Sequence, residues 1–77
     1  MHNGLLKLAA QDLNLARKTG RISIVDTKIG CIDVEYVGGF YRLTARADMI
    51  TQDLGTMKRK EAAEMIALLY NVEEVAV

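Results

Sequence analysis

Cys31-Ile32-Asp33-Val34-Glu35-Tyr36-Val37-Gly38-Gly39-Phe40-Tyr41-Arg42-Leu43-Thr44-Ala45-Arg46 decides the fold. Two glycines separate two runs rich in β-formers. Glycine accepts the positive φ that a two-residue hairpin turn demands. The turn then fixes the register. Val37 faces Phe40, Tyr36 faces Tyr41, Glu35 faces Arg42, Val34 faces Leu43, Asp33 faces Thr44 and Ile32 faces Ala45. One face collects Ile32, Val34, Tyr36, Tyr41, Leu43 and Ala45. The other collects Asp33, Glu35, Arg42, Thr44 and Arg46. Separation into an apolar and a polar face supports the register, because a one-residue slip would invert both strands. It also gives Arg42 a cross-strand partner in Glu35.

Outward from the hairpin, Arg21–Asp26 reads as a preceding strand with Ile22 and Ile24 on one face, and Thr27-Lys28-Ile29-Gly30 as the turn between them. After the hairpin, Ala47–Gly55 is ambiguous. Met49-Ile50-Thr51 reads either as a short fourth strand or as an irregular connection. Asn3 is a candidate cap for a first helix running to about Lys18, with Gly20 as its stop. On a helical wheel Leu5, Leu6, Ala9, Leu13 and Ala16 form one stripe. Leu8 and Leu15 form a second, with Asp12 between the two. The apolar arc is about 180° wide, more than one sheet face needs. A second helix is expected from about Met57 to Tyr70, capped by Thr56 and stopped at Asn71. Its stripe is Ala62, Met65, Ile66 and Leu69, and Leu68 falls on the exposed side. The tail, residues 72–77, alternates like a strand and is expected either to add an edge strand or to fray.

The expected fold is therefore α+β and a single domain over residues 1–77. It is a three-stranded antiparallel meander, with one or two short extra strands left open, and an N-terminal and a C-terminal helix packed on one face. Leu6, Ala9, Leu13, Ile22, Ile24, Ile32, Val34, Tyr36, Tyr41, Leu43, Ala62, Ile66 and Leu69 are the expected core.

Composition narrows the function classes. The chain has 77 residues, 51% of them apolar, and one cysteine. No disulfide framework exists, which suits a reducing, cytoplasmic setting. No apolar run approaches the roughly 20 residues that span a bilayer, and the N-terminal stretch lacks the pattern of a signal peptide. Net charge is zero. The charge is nevertheless blocked: +3 over residues 1–21, −2 over 22–36, +3 over 37–60 and −4 over 61–77.

Few residues suggest chemistry. Cys31 and His2 are the only thiol and imidazole. A Cys–His pair would need a terminal residue to reach a strand, so Cys31 reads as an inert thiol opposite Arg46. No spacing suits a metal or a calcium loop, and no cofactor, catalytic residue or pocket above roughly 300 Å³ is expected. Lys58-Arg59-Lys60 stands out because cations at a helix N-terminus oppose the dipole. Either these side chains are solvated and offset by Glu61 and Glu64, or they form an anion site together with backbone N–H groups.

The order helix, three strands, helix, with basic residues opening the last helix, is similar to the double-stranded RNA-binding domain. Lys58-Arg59-Lys60-Glu61-Ala62-Ala63-Glu64 resembles that family's Lys-Lys-x-Ala-Lys stretch. The turn Thr27-Lys28-Ile29-Gly30 stands where the family carries Gly-Pro-x-His. The resemblance implies an RNA-facing basic patch.

Two function classes follow. The first is a small non-catalytic protein-binding module, inhibitor- or adaptor-like, acting by surface occlusion through Leu8, Asp12 and Leu15. Its partner is another protein or a second copy of itself. In profile this resembles phage and mobile-element accessory proteins, including compact inhibitors of host defence complexes. The second is a nucleic-acid-binding module using Lys58, Arg59 and Lys60 with Arg17, Lys18 and Arg21. No membrane partner is expected.

Overall fold

A computed structural model describes residues 3–70. Its elements run α1 (Asn3–Thr19), β1 (Arg21–Thr27), β2 (Gly30–Val37), β3 (Phe40–Ala47), β4 (Ile50–Met57) and α2 (Arg59–Leu69). The four strands form one antiparallel sheet in the order β1-β2-β3-β4. His2, Asn71 and the expectation for residues 72–77 lie outside the described residues.

Each strand joins the next through two residues. Gly38 and Gly39 hold φ of +57° and +88°, the double positive that a right-twisted hairpin prefers. The β2–β3 pairing is the register read from the sequence, from Cys31 opposite Arg46 to Val37 opposite Phe40. Asp48, at φ +53°, opens the turn to β4. Aspartate tolerates this conformation better than most side chains. The ambiguous stretch therefore resolves into a full strand of eight residues, paired from Ala47 opposite Ile50 to Tyr41 opposite Met57. One bulge interrupts it between Gly55 and Asp53.

That strand corrects the second helix. Thr56 is not its cap, because it sits in β4 opposite Arg42. The N-cap is Lys58, extended at φ −77° and without a side-chain cap hydrogen bond. The Lys58 carbonyl accepts the first helical bond, from the Ala62 N–H at 2.9 Å. Sheet pairing has taken Met57, the expected first residue of the helix, and Thr56, its expected cap. The fourth strand also sets this fold apart from the helix, three strands, helix order of the RNA-binding resemblance.

Both helices lie on one side of the sheet, over β1, β2 and β3. Leu13, Ile32, Val34, Leu43 and Ile66 are fully buried, with Ala9, Ala16 and Ala62 between them. Small side chains at these helix positions let α1 and α2 approach the sheet and each other closely. Leu6, Ile22, Tyr36 and Leu69 are half-buried against this core rather than inside it, and Ala16, Ala45 and Ala67 join it. Leu68 is exposed, as the wheel requires. Most of β4 is uncovered. An open groove of about 390 Å³ runs there past Ile29, Ala45, Ala47, Ile50 and Gln52. It exceeds the expected pocket size because the helices pack over β1, β2 and β3 and leave most of β4 uncovered.

Candidate functional site

The chain path gathers charge that the sequence scatters. α1 ends, β1 begins, the β2–β3 turn sits, and α2 begins at one end of the molecule. Two backbone bonds fix this arrangement. The Tyr36 N–H donates to the Gly20 carbonyl at 2.9 Å, joining the end of α1 to the hairpin. At the opposite end the Lys28 N–H donates to the Leu69 carbonyl at 2.8 Å, holding the C-terminus of α2 beside the first turn. Lys58, Arg59 and Lys60 therefore share an end with Arg17, Lys18 and Arg21. Arg42 joins them from β3; Glu35 and Glu61 lie at the same end, and Asp33 and Asp53 reach Arg21 and Arg42 from further along the sheet, so cations still outnumber carboxylates there. Among the described residues, the other end mixes Lys7, Lys28 and Arg46 with Asp26 and Asp48.

The basic end is organised around two tyrosines. Tyr36 and Tyr41 pair across the hairpin with ring centroids 5.1 Å apart and planes tilted by 55°. The Arg17 guanidinium lies 5.9 Å above the Tyr36 ring, within cation–π range. Arg59 lies against Tyr41, Nη1 3.5 Å from the hydroxyl, and its Nη2 is 3.5 Å from the Ala10 carbonyl. All three cations opening α2 are exposed, but Arg59 reaches back onto its own fold. At the hairpin tip Val37 and Phe40 face away from the helices, 55% and 42% exposed. Sequence reasoning gave these two residues no role. Strand alternation carries the signal: Tyr36 and Tyr41 face the helices, so their neighbours Val37 and Phe40 face the other way.

On the outer sheet face the register holds but the ion pairing differs. Arg42 sits opposite Glu35 in the ladder. Its guanidinium instead reaches Asp53 on β4, at 4.0 Å. Asp33 is 6% exposed although no helix covers that face. Arg46 folds over it, with Nε 2.5 Å from Oδ2 and Nη2 3.1 Å from Oδ1, and the Ser23 hydroxyl donates to Oδ1 at 2.6 Å. Arg21 adds a longer contact at 3.6 Å. The Arg46 hydrogen bonds hold the Asp33 carboxyl below the usual carboxylate range, against the opposing effect of burial. A concavity of about 270 Å³ lies among Arg21, Glu35, Arg42, Thr44, Arg46 and Thr51. Cys31 is half-buried beside this network.

The third region is the outer stripe of α1. Leu8 and Leu15 are 48% and 50% exposed. Asp12 between them is half-buried and accepts a hydrogen bond from the Tyr70 hydroxyl. Burial pushes the Asp12 carboxyl above its usual range. Its partner is therefore internal, a contact the sequence gave no means to foresee. Among the described residues no group of three or more His, Cys, Asp or Glu is placed to hold a metal ion. No described helix is long and apolar enough to cross a membrane.

Comparison with family models, with curated proteins and with solved structures finds no match to this chain.

Proposed function

We propose that the protein is a small non-catalytic binding module that acts by covering the surface of a protein partner, as an inhibitor or adaptor. The observation that carries this reading is the α1 stripe. Leu8 and Leu15 stand half-exposed, seven residues and so two helical turns apart on one rigid helix. The Tyr70 hydrogen bond holds Asp12 flat between them, so the stripe presents apolar surface with its one charge already partnered. Such a stripe suits the apolar centre of a protein contact. The test is Leu8→Glu with Leu15→Glu. The double variant stays folded and loses the partner captured from the native host, with nuclease treatment making no difference. Light scattering on the purified chain asks whether the partner is a second copy. If the double variant unfolds, these leucines belong to the core and the reading fails.

A second reading, a nucleic-acid-binding module, is favoured by one observation: the two basic sets, about 40 residues apart in the chain, meet at one end. A neutral total gives little long-range attraction, but a concentrated basic end gives local attraction to phosphate.

A further inference from the structure

We infer that the basic end is a surface for single-stranded nucleic acid, with Phe40 at the hairpin tip as its stacking platform. The inference rests on the second reading above and deepens it.

Phe40 is 42% exposed at the tip of a rigid two-residue turn, with Val37 opposite it. Arg42 follows two residues later on the same face, and Arg21 lies two strands away in the same row, through Glu35. Lys18, Lys58 and Lys60 come from the two helices around the same end and are exposed. An exposed ring with Arg42 along its own face and further cations at the same end of the molecule matches what a single strand offers: an unpaired base with a free π-face and phosphates on either side. A duplex keeps its bases stacked inside and gives such a ring nothing to stack on. A blunt end also suits a flexible strand that bends around it better than a straight, stiff helix.

The cations can respond to phosphate. The Arg21–Asp33 and Arg42–Asp53 contacts are long, 3.6 Å and 4.0 Å, and both arginine side chains are more than half exposed. The Arg42–Asp53 pair, exposed on both sides, contributes little and exchanges readily, and Asp33 keeps its two Arg46 hydrogen bonds when Arg21 turns away. Arg17 and Arg59 play a different part: they brace the Tyr36–Tyr41 pair that supports the hairpin tip.

The test is fluorescence anisotropy with a labelled oligothymidylate of about 12 nucleotides, within the site sizes known for single-strand binders. It is run beside a duplex of the same length and across a salt series. The single strand binds at least about tenfold tighter than the duplex. Phe40→Ala weakens it by about fivefold or more, the low end of measured base–aromatic stacking. Phe40→Leu, which keeps the apolar bulk but removes the ring, weakens it similarly, and circular dichroism shows both variants folded. Lys58→Glu with Lys60→Glu flattens the salt dependence by about 0.7 per lost contact. Lys7→Glu, at the other end, changes nothing.

Equal binding of duplex and single strand, with Phe40→Ala silent, overturns the stacking inference and leaves the second reading standing. No binding of either nucleic acid removes both. Displacement of the strand by polyglutamate as readily as by unlabelled strand also overturns the inference, because the end would then read charge alone.

Discussion

Replacing Gly30 and Gly38 by alanine, one at a time, separates two kinds of hairpin glycine. Both hold positive φ, +97° and +57°. At Gly38 an added Cβ meets nothing within 4 Å. The cost there is the left-handed backbone, about 1–2 kcal/mol for an L-residue. The lower entropy of the unfolded alanine chain offsets about 0.4–1 kcal/mol of it. The net loss is about 1 kcal/mol, or about 4–8 °C in Tm for a domain of this size. At Gly30 the same atom falls 2.4 Å from the Arg46 carbonyl oxygen and 3.1 Å from the Ala47 Cβ. The oxygen is backbone of β3 and cannot rotate away. Relief requires β2 and β3 to part at the Cys31–Arg46 rung. With φ also outside the left-handed helical well, the loss is at least about 3 kcal/mol, a large share of a small domain's stability. Urea unfolding followed by far-ultraviolet circular dichroism gives both values. If Gly30→Ala falls within about 1 kcal/mol of Gly38→Ala, the close approach of β3 to Gly30 does not exist in solution and the reasoning is wrong.

Three further outcomes are expected. Asp33 has a depressed folded-state pKa, so its contribution is fully present above the ordinary carboxylate value of about 3.9 and is lost as pH falls through the folded value. Thermal melts of Asp33→Asn should therefore lack part of the acid-side loss seen in the parent chain, and parallel curves would refute the assignment. Asp12 has the opposite sign: its raised pKa favours the fold below the ordinary value, and that advantage fades as pH rises through the folded value, so Asp12→Asn should flatten this limb in the same melts. Leu13→Ala, at a fully buried position, should cost about 3–5 kcal/mol, while Leu68→Ala, 60% exposed, should cost under about 1, both read from urea midpoints.

The hairpin was legible residue by residue because its determinants are local. A two-residue turn sets the register, and strand alternation then sorts every side chain to a face. Leu68 on the exposed side and Leu8 and Leu15 off the main stripe followed from helical spacing in the same way. The start of α2 was not legible. Thr56 and Met57 satisfy a helix by local preference, and only pairing with Arg42 and Tyr41 claims them for β4. The turn that launches β4 hid for a related reason: Asp48 takes the positive φ usually advertised by glycine.

By itself, then, the sequence determined the α+β class, the β2–β3 register, both faces of that hairpin and the existence of two amphipathic helices. Each rests on contacts between near neighbours or on a repeating period. The tertiary structure alone decided which of several available partners each charge takes. Arg42 turns to Asp53 rather than Glu35, Asp12 meets Tyr70 across 58 positions, and Arg46 closes over Asp33. It also decided that Arg17 and Arg59 flank one tyrosine pair, because the meander returns the chain to the end where α1 stopped. Long flexible side chains have many carboxylates and rings within reach, and only the folded path of the backbone fixes which of them lies closest.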